Sequence, residues 1–93
     1  MFIGVLRVLL EISGSTSLKD KRQVVKSILD SIRNKHNASC AEVGFLNNHN
    51  KAELGFACVS NDKVVVNNIL NKIFEYIDSN PLCEIIEHEF ELL

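Results

Sequence analysis

The chain has 93 residues, 46% hydrophobic and 24% charged, with a net charge of −2; this fits one domain over 1–93 and excludes low-complexity or collagen-like sequence. No apolar run reaches the roughly 20 residues that span a bilayer. The charge is uneven: residues 1–36 hold seven Lys/Arg and three acids, and residues 37–93 hold three Lys and nine acids. A basic first part suggests an anionic partner, while the acidic remainder opposes non-specific nucleic-acid binding. Charge complementarity within the fold is the plainer alternative.

Phe2–Ile12 reads as a strand. Phe2, Leu6, Val8, Leu10 and Ile12 share one face, and Ile3, Val5 and Leu9 share the other with Arg7 and Glu11. A strand apolar on both faces belongs in the centre of a sheet. Arg7 interrupts the apolar run and no small-residue cleavage site follows it, so a signal peptide is not expected.

Gly14-Ser15-Thr16-Ser17 leads into a helix over Leu18–Lys35. Ser17 is the expected N-cap, and Asp20 is placed to answer its backbone amide as in a capping box. Leu18, Val25, Ile28, Leu29 and Ile32 repeat with the helical period and form the buried seam. Lys19, Arg22, Lys26 and Arg33 form a basic stripe beside that seam. Asp20 and Asp30 are expected outside the stripe, with Lys21 and Lys35 elsewhere, snorkelling. Cations in a first helical turn oppose the macrodipole, so their presence suggests that they serve an anion.

Ser39–Leu46 and Lys51–Ser60 read as strands joined by the polar turn Asn47-Asn48-His49-Asn50. Ser60-Asn61-Asp62 caps a second helix over about 62–79, whose core stripe is Val66, Ile69, Leu70, Ile73, Phe74 and Ile77, and Asn80-Pro81 stops it. Leu82–Leu92 is the last strand, with Ile86, Phe90 and Leu92 on one face and Glu87, Glu89 and Glu91 on the other. Those glutamates read as a solvated face that also discourages edge pairing.

The order βαββαβ predicts an α+β, ferredoxin-like sandwich: one four-stranded antiparallel sheet with two helices on one face. Its first and third strands are central. Their open face then carries Ile3, Val5, Leu9, Ala57 and Val59, an apolar surface suited to a homodimer. The open-face positions hold no aromatic residue, which argues against base stacking of the kind used by RNA-recognition sheets.

Few residues suggest chemistry. The run before the first helix lacks the second glycine and the Gly-Lys-Ser/Thr junction of a phosphate loop. Its hydroxyls and adjacent cations remain generic anion-binding parts, so Ser15, Thr16, Ser17, Lys19, Lys21, Arg22, Lys26 and Arg33 are the candidate contacts to an anion or RNA. His36, His49 and His88 and Cys40, Cys58 and Cys83 lack metal-ligand spacing; no metal or other cofactor is expected. The odd cysteine count without an export signal points to reduced, buried thiols in a cytoplasm. Glu42 and Glu53 fall on paired strands but read as solvated carboxylates, and no catalytic residue is nominated.

Gly4-Val5-Leu6-Arg7-Val8, Ser17-Leu18-Lys19-Asp20-Lys21-Arg22, Ala41-Glu42-Val43, Ala52-Glu53-Leu54-Gly55 and Val59-Ser60-Asn61-Asp62 together resemble the YlxP-like family of small bacterial proteins from end to end. The resemblance implies a ferredoxin-like fold and a cytoplasmic protein, and it supplies no catalytic residues, since the family is a domain of unknown function. Its genes often neighbour those for transcription elongation, translation initiation and ribosome maturation factors, which implies by association a role near RNA or the ribosome. Relatives often carry acidic residues and a tryptophan in the hairpin, where this chain has Gly44-Phe45-Leu46-Asn47-Asn48-His49-Asn50.

The expectation is therefore a non-enzymatic cytoplasmic accessory protein that contacts RNA or a ribosomal particle through the basic stripe, with no DNA specificity and no membrane. The alternative is a homo-oligomeric ligand-binding or regulatory module that associates through the open sheet face.

Overall fold

The computed structural model describes residues 1–93. Its elements are β1 (Phe2–Ile12), α1 (Leu18–Lys35), β2 (Ser39–Gly44), β3 (Lys51–Ser60), α2 (Lys63–Asp78) and β4 (Cys83–Leu92). The strands form one sheet in the order β2-β3-β1-β4, with every neighbouring pair antiparallel. This is the ferredoxin-like α+β arrangement, with β1 and β3 in the centre. No helix is long and apolar enough to cross a membrane.

Alternation along β1 sorts its two faces. Leu6, Val8, Leu10 and Ile12 are buried against the helices together with Ala52, Leu54, Phe56 and Cys58 of β3. From α1 come Val25, Ile28, Leu29 and Ile32, and from α2 Val66, Leu70, Ile73 and Ile77. Leu18, Ile69 and Phe74 are half-buried at the margins. Gly4 lets α2 approach β1: a Cβ there would collide with Val66 Cγ1 and lie 2.8 Å from Leu70 Cδ1. A larger residue at that point would push the helix off the sheet.

The opposite face has no covering layer. Ile3, Val5, Leu9 and Ala57 are half-buried by their strand neighbours, and Val59 is 58% exposed. At the centre Arg7 Nη1 lies 2.7 Å from Glu53 Oε2 across the β1–β3 pair. That hydrogen bond is the main reason the Arg7 guanidinium holds its proton even more firmly than usual, with Glu87 and Glu89 adding to it electrostatically.

The last strand differs from a simple two-residue alternation. The β1–β4 register shifts between Leu9, opposite Glu87, and Leu10, opposite Ile85. Ile86 is thus the extra residue of a β-bulge. Ile85, not Ile86, packs against the core, and Ile86 is 47% exposed. His88 and Phe90 lie beyond the bulge on the helix side, where Phe74 meets them at ring-centroid distances of 4.7 and 5.7 Å.

Cys40, Cys58 and Cys83 are buried free thiols. Burial raises the pKa of all three above the ordinary thiol value of 9.0. Each thiol lies against a helix carbonyl: Leu29 for Cys40, Val66 for Cys58 and Ile77 for Cys83.

Candidate anion-binding surface

The start of α1 is capped as its sequence requires. Ser17 is in an extended conformation, and its hydroxyl accepts the Asp20 N–H at 3.1 Å. The reciprocal half differs from the expectation. The Asp20 carboxylate receives the Thr16 hydroxyl at 3.3 Å and faces the Thr16 N–H at 3.5 Å, rather than answering the Ser17 amide. Ser15 donates to the His49 carbonyl and so ties this loop to the β2–β3 turn. All three hydroxyls are therefore engaged, those of Thr16 and Ser17 within the loop and that of Ser15 with the β2–β3 turn. Asp20 already occupies the negative position that a helix start favours.

Lys21 corrects the sequence reading. It is neither snorkelling nor available to a partner, because its side chain is 0% exposed. Its Nζ donates to Glu42 Oε2 at 2.8 Å, to the Phe45 carbonyl at 2.9 Å and to the Lys51 carbonyl at 3.3 Å, with the Leu46 carbonyl at 3.4 Å. An ammonium in a closed site must be paired and fully hydrogen-bonded to be tolerated, and this one is. Lys21 thus pins the β2–β3 hairpin to α1. Glu42, read above as solvated, is its counter-ion with 15% of its side chain exposed.

The same strap explains why β2 ends at Gly44 and not at Leu46. The Phe45 and Leu46 carbonyls turn toward Lys21 instead of continuing the ladder, and Phe45 adopts the left-handed conformation with φ 57°. The Phe45 carbonyl also accepts the Asn48 N–H, and Asn48 Oδ1 accepts the N–H groups of Asn50 and Lys51. Phe45 and Leu46 consequently present their side chains outward, at 46% and 53% exposure. The spacing could have placed Lys21 in the seam: it precedes Val25 by four residues, Ile28 by seven and Ile32 by eleven, which is one helix face.

Lys19, Arg22, Lys26 and Arg33 do share the exposed side of α1. Lys19 and Arg22 have no acidic partner. Asp30, expected off the stripe, stands within it: its Oδ2 lies 2.6 Å from Lys26 Nζ, and its Oδ1 is 3.6 Å from Arg33 Nη1. The Lys26 hydrogen bond, followed by the charges of Lys26 and Arg33, holds the Asp30 carboxyl below its ordinary value. Arg33 also donates to the Cys40 carbonyl at 2.7 Å, bracing α1 against β2. The uncompensated positive charge is thus concentrated toward the start of the helix, at Lys19 and Arg22. Lys26, 77% exposed, lies one turn further along, with its charge shared with Asp30.

This surface offers charge and reach but no nucleophile with a base, and His, Cys, Asp and Glu form no metal-binding group in the fold. A family model described as "Protein of unknown function (DUF503)" matches residues 3–90. A protein of Bacillus subtilis (strain 168), described as "Uncharacterized protein YlxP", is 38% identical over 68 residues, which cover 73% of this chain and 74% of the relative.

Proposed function

The chain belongs to the DUF503 family of unknown function, and from that premise we propose that it is a non-enzymatic cytoplasmic accessory protein that binds RNA, free or in a ribosomal particle, through α1. The observation that carries this reading is the pair Lys19 and Arg22, exposed on one helix face without a carboxylate partner; Lys26, paired with Asp30, lies one turn further on. Cations kept free in this way neutralise phosphates without a competing internal pair. Arg33 contributes at the far end of the stripe, while Lys21 holds the hairpin and takes no part in contact. Ser15, Thr16 and Ser17 fix the loop that starts the helix.

The contact is to phosphate and carries little base readout, since the sheet has no stacking residue on its open face. Affinity should fall as salt rises, with a log–log slope of about −0.7 to −0.9 for each phosphate neutralised. The test is co-sedimentation with ribosomal particles and filter binding to structured RNA at low and high salt. Wild type is compared with the Lys19→Glu, Arg22→Glu, Lys26→Glu triple variant. Loss of binding by a variant with an unchanged melting curve supports the reading; wild-type binding by that variant ends it.

A further inference from the structure

The uncovered sheet face combines two properties that specify an occupant. Its centre is apolar, formed by Ile3, Val5 and Leu9 of β1 with Ala57 and Val59 of β3. Its β4 side is acidic, because the register sets Glu91 beside Val5, Glu89 beside Arg7 and Glu87 beside Leu9. After the bulge the alternation resumes, and Glu84 sits beside Glu11 on the same face. Counting Glu11 and Glu53, six glutamates share this face with two cations, Arg7 and Lys51. Arg7 is committed to Glu53, and no ion pair reaches Glu84, Glu87, Glu89 or Glu91.

We propose that this face is the docking surface for a basic, amphipathic segment of another protein, whose apolar side chains cover Ile3, Val5 and Leu9 while its lysines or arginines meet Glu87, Glu89 and Glu91. Charge complementarity selects this occupant over a second copy of the chain. A face-to-face homodimer would bring two surfaces with the same four-charge negative excess together, and like charges in juxtaposition cost affinity. RNA is repelled by the same glutamates. The face is also long enough: β1 from Ile3 to Glu11 extends about 27 Å at a strand rise of about 3.4 Å per residue, the length of a helix of about 18 residues. A helix laid there would complete a three-layer sandwich, with the sheet covered on both sides.

The test uses the intact chain and a synthetic helical peptide of about 18 residues, with leucines on one face flanked by lysines. A scramble of identical composition is the control. Backbone amide shifts map the contact and calorimetry gives the Kd at two salt concentrations. The expected result is shifts confined to β1, β3 and β4 and binding that weakens with salt. Glu87→Gln, Glu89→Gln, Glu91→Gln together should weaken it about tenfold, and Glu75→Gln, Asp78→Asn on α2 should leave it unchanged. Equal binding by the scramble, shifts centred on α1 or α2, or a homodimer in the absence of peptide that Val5→Arg disrupts would each overturn the proposal. None of these variants alters the α1 stripe, so this result and the RNA result stand or fall separately.

Discussion

Lys21 Nζ and Glu42 Oε2 are 2.8 Å apart, and the lysine side chain is 0% exposed. The pair joins the first turn of α1 to β2 and fixes the hairpin beyond it. Its carbonyl partners in Phe45, Leu46 and Lys51, added to Glu42, give the ammonium four acceptors rather than a simple ion pair.

Lys21→Met should destabilise the domain by about 3 kcal/mol, because it leaves Glu42 and inward-facing carbonyls without their donor. Lys21→Met with Glu42→Gln should recover part of that loss. Urea denaturation of the two single variants and the double variant gives the coupling. Additive losses would show that the two residues act independently. A lysine that contacted ligand instead would leave stability unchanged when replaced.

Gly4→Ala should cost about 1–3 kcal/mol by overpacking α2 against β1, since Val66 and Leu70 occupy the space of the new methyl. Gly14 has φ +69° and no neighbour within 4 Å of an added Cβ. Gly14→Ala should therefore cost only the backbone penalty of a left-handed residue, about 1–2 kcal/mol. Thermal unfolding checks both, and a nearly neutral Gly4→Ala would contradict the close helix–sheet approach.

Asp30 should titrate below the ordinary carboxylate value, and Lys26→Ala should move it back up, as followed by the side-chain carbon shift in NMR. A carboxyl with a depressed folded-state pKa adds stability above its unfolded pKa, and that contribution disappears as pH falls through the folded pKa. Asp30→Asn also releases Lys26 and Arg33 from their internal partner. On the proposed function it should raise RNA affinity and steepen the salt dependence, whereas weakened binding would count against a stripe that works through its free cations.

The three thiols should react slowly with a disulfide reagent at pH 8 in the native state and quickly in denaturant, since each is buried with its pKa raised by desolvation. A thiol whose folded pKa is raised contributes stability fully below its unfolded value, near 9.0. That contribution is lost as pH climbs toward the folded pKa. Stability should therefore decline above about pH 9, and Cys83→Ala should flatten part of that decline even though it costs packing. Equal native and denatured reaction rates would show that the thiols are open to solvent.

The architecture is legible because β1, β3 and the two helices each obey one period. Alternation in β1 and β3 and the helical spacing in α1 and α2 assign nearly all of the core. The misreadings share a different origin. Its charge argues for Lys21 at the surface, although its spacing from Val25, Ile28 and Ile32 puts it in the seam; nothing local announces the Glu42 carboxylate that makes its burial tolerable, since that partner is 21 residues away in sequence. Asp30 is expected outside the basic stripe when charge sign alone is considered, but its separation of four residues from Lys26 is the ordinary spacing of a helical ion pair. Strict alternation puts Ile86 on one face with Phe90 and Leu92, but Ile85 and Ile86 are chemically identical, and only the register to β1 tells which one is the insertion. The strap on Phe45 and Leu46 was not readable at all, because backbone carbonyls leave no mark in a sequence.

The bulge at Ile86 has a consequence for how other molecules approach. β4 is an outer strand, and a regular one would present an unbroken row of amides and carbonyls that another polypeptide could extend in register. The supernumerary isoleucine puts that row out of step partway along, so an incoming strand finds only short stretches to copy. The broad side of the sheet keeps its continuity across the same position, because Glu84 and Glu87 resume one line on either side of it. The molecule is thus guarded against growth by strand addition at this border while its broad side stays accessible.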